Sequence, residues 1–298
     1  MQPKPMARWI AVLLLLAIAL SFGSNNVSAR LAFEHGTSVT TAVTVRSIVT
    51  ALVMLVLIRV QRVPLALPDG VRGRAMLIGV LLAAQSFCLY SAVARIPVAL
   101  ALLAFNTFPM LLSLISWASG GEAPTRHTLI AMPVALVGLA LALDVVGLGG
   151  SVAGRWAEIG AGVVWALGAA LAWALILHLT VRWLKDVDGR VRTLLTMSVA
   201  AAIVVAGGAA SGGFALPDAP AGWLGLALLC LFYGTAITML FAVLPRIGAV
   251  NNAVVLSFEP IVVLALAWVF LGQAVAARQI AGAFVVVGAI VYLNSARR

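Results

Sequence analysis

The sequence predicts an all-α polytopic membrane protein of ten transmembrane helices arranged as two inverted five-helix repeats. Composition carries the first half of that statement. The 298 residues are 63% hydrophobic and only 9% charged, with a mean hydropathy of +1.14. A soluble domain carries roughly 25% charged residues. The second observation is a duplication. Arg95, Ile96, Pro109, Trp117, Gly121 and Ala123 recur 151 positions later as Arg246, Ile247, Pro260, Trp268, Gly272 and Ala274. The third is that five spans per copy is an odd number, so the second copy enters the bilayer from the opposite side. A pseudo-twofold axis in the membrane plane then relates the halves, here divided as residues 1–147 and 148–298.

Ten apolar runs have spanning length, at about 20 residues each. They cover residues 9–29, 39–58, 75–94, 98–118, 127–146, 158–181, 193–211, 221–244, 249–270 and 278–296. Short connections with turn formers separate them, among them Pro64, Pro68, Asp69 and Gly70, the run 147–154, Asp186 to Gly189, and Gly212, Gly213, Pro217 and Pro220. A cleaved signal peptide competes for the first run, since Lys4 and Arg8 precede it and Val27-Ser28-Ala29 resembles a cleavage site. Against it, Phe22 has its repeat counterpart in Trp173, and removing the run would destroy the symmetry.

The net charge of +10 reads as topology, because the cations sit singly or in small groups between apolar runs. No nucleic-acid footprint follows from that placement. With the N-terminus in the cytoplasm, fourteen of the 19 Lys and Arg residues fall on the inner side. Four fall outside, namely Arg30, Arg95, Arg155 and Arg278. That asymmetry places both termini in the cytoplasm. Cys88 and Cys230 lie within apolar runs and read as buried thiols.

Arg46 lies inside the second run, about 10 Å from its outer end. Its stem is expected to snorkel to the outer surface; the alternative is a cavity-facing anchor for a carboxylate. Pro109 and Pro260 each stand eleven residues into the fourth and ninth runs. Both are expected roughly 16 Å deep, meeting near the midplane. A proline there removes a helix hydrogen bond and exposes polar backbone, which makes a hinge or a packing kink. Beside Pro260 is Glu259, which binds a cationic group or proton, or is held protonated by a neighbouring helix. Its repeat counterpart is Phe108, so the charge is asymmetric.

Trp165 and Trp173, eight residues apart on the sixth run, project to roughly one side between small residues. With Tyr90, Asn106 and Tyr233 they could line a cavity suited to a ring-bearing solute, or simply pack. Asn25, Asn26, Asn251 and Asn252 are packing amides or ligands, and Asp144 and His178 are expected near the interfaces. No phosphate loop, H-E-x-x-H or G-x-S-x-G pattern is present, so no enzyme chemistry is expected, and no cofactor or metal. A channel lacks a filter-like signature.

The segments Phe105-Asn106-Thr107-Phe108-Pro109 with Gly121-Glu122, and Ser257-Phe258-Glu259-Pro260 with Gly272-Gln273, resemble the ten-span EamA-type exporters of the drug/metabolite transporter superfamily. Gln273 departs from the Gly-Glu such proteins often carry. The resemblance implies export of small metabolites, commonly amino acids or organic cations, across a bacterial inner membrane. The aromatic-rich sixth run is similar to that of the aromatic amino-acid exporters. The expected partners are a small-molecule substrate and the bilayer, with the ten-span chain complete as a monomer. The expected mechanism is alternating access, each half moving mainly as a packed unit. Two other readings compete, proton-coupled efflux of organic cations or drugs, and a non-transport membrane protein such as a lipid scramblase.

Overall fold

In hydrocarbon every backbone N–H and C=O must be satisfied within the protein, and continuous apolar runs of about 20 residues do this as helices, each closing its own hydrogen bonds. The computed structural model describes residues 8–65, 70–121, 123–124, 126–142, 152–184, 186–247, 259–273 and 276–295. Among these it contains eleven helices and no strand. They are α1 (Arg8–Glu34), α2 (Val39–Val60), α3 (Val71–Arg95), α4 (Val98–Phe105), α5 (Phe108–Ala118), α6 (Arg126–Ala142), α7 (Val152–Trp183), α8 (Gly189–Ser211), α9 (Pro220–Ile247), α10 (Glu259–Leu271) and α11 (Ala277–Ser295).

Each of the ten expected runs meets a helix, and the fourth meets two. Seven stretches are long and apolar enough to cross a bilayer, counting α4 and α5 together. α6, α10 and α11 contribute the shorter apolar helices Leu129–Ala142, Val262–Leu271 and Ala277–Ala289. Asp144, Asn251, Asn252, Ser257 and Phe258 lie outside the described residues.

The fourth span is interrupted rather than merely kinked. Pro109 sits in the first turn of α5, and the chain breaks at Asn106 and Thr107. Proline cannot donate a hydrogen bond and crowds the carbonyl four residues back, so the break falls just upstream of it. Two polar side chains at the break fold back on the end of α4: Asn106 Nδ2 donates to Leu102 O and Thr107 Oγ1 to Ala104 O, both at 2.8 Å, beside the backbone bonds those carbonyls already accept.

Helix packing follows the duplication in an unexpected way. The major partners are α1 with α9, α3 with α7, α2 with α8, and α6 with α11. Matching α1 to α7, α2 to α8, α3 to α9, α4–α5 to α10 and α6 to α11 turns the first two of these pairs into one another. The same operation exchanges α1–α10 with the packing of α4–α5 on α7, and α3–α8 with α2–α9. The contacts therefore carry the pseudo-twofold symmetry. They also correct the expectation that each half is a packed unit, since the dominant neighbours of a helix in one half belong to the other.

Small residues make this interleaving possible, because helices approach closely in lipid only where side chains are absent. At Gly225 an added Cβ would lie 2.8 Å from Ala32 N and 2.9 Å from Ser28 O, so α1 and α9 touch backbone to backbone. Gly282 on α11 abuts Ala142 N and the carbonyl of Gly138 on α6 in the same manner. The buried clusters that result draw on both halves. One joins α1, α2, α3, α8 and α9 through Ala29, Ala42, Tyr90, Ala200 and Leu229.

Candidate substrate site

Arg46 organises the interior of that cluster. It stands on α2 and is only 4% exposed, so the expected snorkelling to the outer surface does not occur. The physical reason is that α2 turns this position toward α3 and α9, where the guanidinium finds acceptors and rings. Nη2 donates to Ser86 Oγ at 2.6 Å, and Nη1 donates to Tyr90 Oη at 3.2 Å. Cζ lies 4.7 Å from the Tyr90 ring centroid and 4.3 Å from that of Tyr233. Ring quadrupoles attract a cation at this range. Nε has no hydrogen-bond partner, and Arg46 has no ion-pair partner among the described residues.

Tyr90 links this group to α1. Its hydroxyl is 2.9 Å from the Asn25 side-chain amide. With the amide nitrogen facing Tyr90 and the Leu229 carbonyl at 3.1 Å, the amide oxygen accepts from Asn26 N at 3.3 Å, and both ends are satisfied. The neighbouring Asn26 side chain points elsewhere. Its Nδ2 donates to Phe22 O at 3.1 Å and approaches Glu259 Oε1 at 3.5 Å, while its own Oδ1 is buried without a partner. Adjacent residues on a helix diverge by about 100°, so α1 separates the buried cation from the half-buried carboxylate. Phe22 closes the circuit, packing edge-on against Tyr233 at 6.0 Å.

The residues singled out from the sequence thus divide. Tyr90 and Tyr233 converge on Arg46, and Glu259 reaches the same stretch of α1 from α10. Asn106 is buried, and its amide is engaged with its own helix. Trp165 and Trp173 do not share a surface. Trp165 packs against Phe87, at 6.0 Å, and under Arg95, at 5.7 Å. Trp173 joins Tyr233 on the cluster formed by Ile78, Leu82, Ile176 and Met197. Eight residues displace them by about 12 Å along the axis. Pro109 borders the break in the fourth span, and Pro260 is the second residue of α10. Ser86 was passed over in the sequence, although Ser86 and Tyr90, four apart in an apolar run, place two hydroxyls on one helix face.

A cleft of about 570 Å³ opens at the end of the bundle where α1 turns into α2 beside the C-terminus of α3. Arg30, Phe33, Glu34, Thr37 and Arg95 are among its lining residues. Arg30 is held there by Glu34 at 2.7 Å and by the carbonyls of Val93 and Ala94. Phe33 also packs on the Tyr90 ring, 5.7 Å away, so one aromatic layer separates the cleft from the Arg46 group.

A single family profile matches this chain twice, over residues 9–143 and again over 160–295. The chain belongs to the EamA-like transporter family. No curated protein matches it. A solved structure described only as a crystal structure of a protein superposes with a TM-score of 0.65, covering 98% of this chain and 99% of its own at 18% identity. That likeness is one of fold. As an EamA-like transporter the chain is a multi-pass membrane protein that moves small molecules, and the repeated match follows the duplication seen in the sequence.

Proposed function

We propose that this EamA-like transporter exports amino acids, aromatic and neutral, from the bacterial cytoplasm across the inner membrane by alternating access. The observation that supports this reading best is the buried polar cluster around α1. There Tyr90 and Tyr233 offer aromatic surface, and Glu259 offers a carboxylate within reach of Asn26. A zwitterion with an apolar side chain needs both kinds of contact in a site that is otherwise dry. Trp173 extends the aromatic surface beside Tyr233. Trp165 and Asn106 contact the solute at other stages of the cycle.

Interleaved packing favours moving bodies that each contain helices of both repeats. Pro109, at the break between α4 and α5, and Pro260, in the first turn of α10, serve as the hinges. Both termini face the cytoplasm, and a single chain is the working unit. The organic-cation reading is favoured by one observation, the buried side of Glu259, whose described partner is an amide.

The test is uptake of labelled phenylalanine into liposomes containing the purified protein, without a pH gradient, against empty liposomes. Saturable flux that unlabelled tryptophan competes away is the expected result. Absence of flux for phenylalanine, combined with saturable flux of a quaternary ammonium under a pH gradient, would replace this reading with cation efflux.

A further inference from the structure

Arg46 is a fully charged side chain buried within a membrane bundle, and its surroundings do not complete its hydrogen bonding. A guanidinium carries five N–H donors in one plane and does not deprotonate in proteins. Two of the five are used, one on Ser86 and one on Tyr90. Nε–H is buried with no acceptor. Buried donors are almost always paired, and an unpaired one marks a functional position or a strain.

Charge gives the same result. Among the described residues no carboxylate forms an ion pair with Arg46. The tyrosine rings attract a cation through their faces, and the edge that carries Nε–H is left without an acceptor. A planar monoanion with two oxygens matches that edge, accepting two parallel hydrogen bonds. A diphosphate would call for further cations, and the second and third apolar runs supply no other within the bundle.

We propose that Arg46 is the anchor for the carboxylate of the transported solute, held in place by Ser86, Tyr90 and Tyr233. This deepens the amino-acid reading and rests on it. The solute enters or leaves through the cleft lined by Arg30 and Arg95, and the Phe33–Tyr90 ring pair separates that cleft from the anchor. Carboxylates without an ammonium group are therefore ligands of the same site, whereas amines without a carboxylate are not.

The experiment reads Arg46 directly. In full-length protein labelled with ¹⁵N-arginine and held in nanodiscs, the Nε–H resonance of Arg46 is assigned by its loss in Arg46→Lys. If that variant does not fold, the shift caused by Ser86→Ala, which removes one neighbour of the guanidinium, assigns it instead. The protein is titrated with acetate, 3-phenylpropionate, phenylalanine and phenethylamine. The expected result is a saturable shift of this resonance with the phenyl carboxylates, at concentrations roughly 10- to 100-fold below any effect of phenethylamine, the range a charge-assisted pair carries. No shift with any carboxylate, or an equal one with phenethylamine, overturns the anchor. Phenylalanine flux is measured separately on the same preparation. Flux without the shift removes the anchor and leaves the transport reading intact. The shift without flux keeps the anchor and removes amino-acid export.

Discussion

Replacing Tyr90 with phenylalanine removes one oxygen atom from a fully buried position and leaves the ring in place. The hydroxyl meets Arg46 Nη1 at 3.2 Å and the Asn25 amide at 2.9 Å. Its loss strands one charged donor and one amide in the interior. In water-soluble proteins a hydrogen bond to a charged group contributes about 1.5–3 kcal/mol and a neutral one about 0.5–1.5. In bilayers measured values are smaller, averaging about 0.6 with a maximum near 1.7 kcal/mol, because the unfolded chain finds partners within the membrane. The bilayer scale governs here, so the two bonds together give a destabilisation of about 1–2 kcal/mol. Tyr233→Phe is the control. It keeps the ring over Arg46, and no hydrogen bond from the Tyr233 hydroxyl to a described residue is lost, so its effect stays below about 0.5 kcal/mol. Reversible unfolding in bicelles, followed by steric trapping, measures both. Equal effects for the two variants would refute the view that Tyr90 is held by its hydroxyl rather than by its ring.

Other outcomes follow from the same geometry. Glu259→Gln keeps the contact with Asn26 but removes the charge, so any dependence of flux on a pH gradient disappears; coupling that survives shows that Glu259 does not carry the proton. Gly282→Val pushes a side chain into the Ala142 and Gly138 backbone and is expected to destabilise the protein by about 1–3 kcal/mol. Thermal unfolding in detergent reads this, with Gly207→Ala on α8, whose Cβ meets nothing within 4 Å, as a comparison for a helical glycine outside a helix contact. Asp188 caps α8 by accepting from Arg190 N at 2.8 Å, and the Arg190 guanidinium holds its carboxyl below the usual carboxylate range. The folded pKa is depressed, so the stabilisation is complete above about pH 4 and is lost as pH falls through the lowered value. Protection factors of the amides in the first turn of α8, corrected for the intrinsic exchange rate at each pH, should fall over that acidic window, and Asp188→Asn should flatten the change.

The ten runs and their order were readable because lipid imposes length and apolarity on every span, and the repeat was readable because Pro109 and Pro260 each stand eleven residues into equivalent runs. Tyr90 and Tyr233 were found as aromatic residues in apolar surroundings, and both reach Arg46. The direction of Arg46 was not readable. Its distance from the outer end of the second run allowed snorkelling, and only the rotation of α2 against α3 and α9 decides between surface and interior. The separate surroundings of Trp165 and Trp173 were not readable for a similar reason. Their spacing of eight keeps them on one side of α7, yet the neighbours change along the axis, from Phe87 and Arg95 to the cluster around Met197. Asn106 was readable as polar and mid-span, but not that its amide bonds to the Leu102 carbonyl of its own helix.

The interleaving of the halves bears on how the chain is made. During synthesis α1 emerges long before α9, and α3 before α7, at roughly 5–20 residues per second. For several seconds the first five spans therefore sit in the bilayer with their small-residue faces turned to lipid, at positions such as Ala32 and Gly138 that end up against Gly225 and Gly282 of helices not yet built. A chain with this topology cannot finish its first half before starting its second. Selection on those stripes then acts at two moments, when they wait in lipid and when they meet their partner, and a substitution at Ala32 or Gly138 can fail at the first while leaving the second geometrically sound.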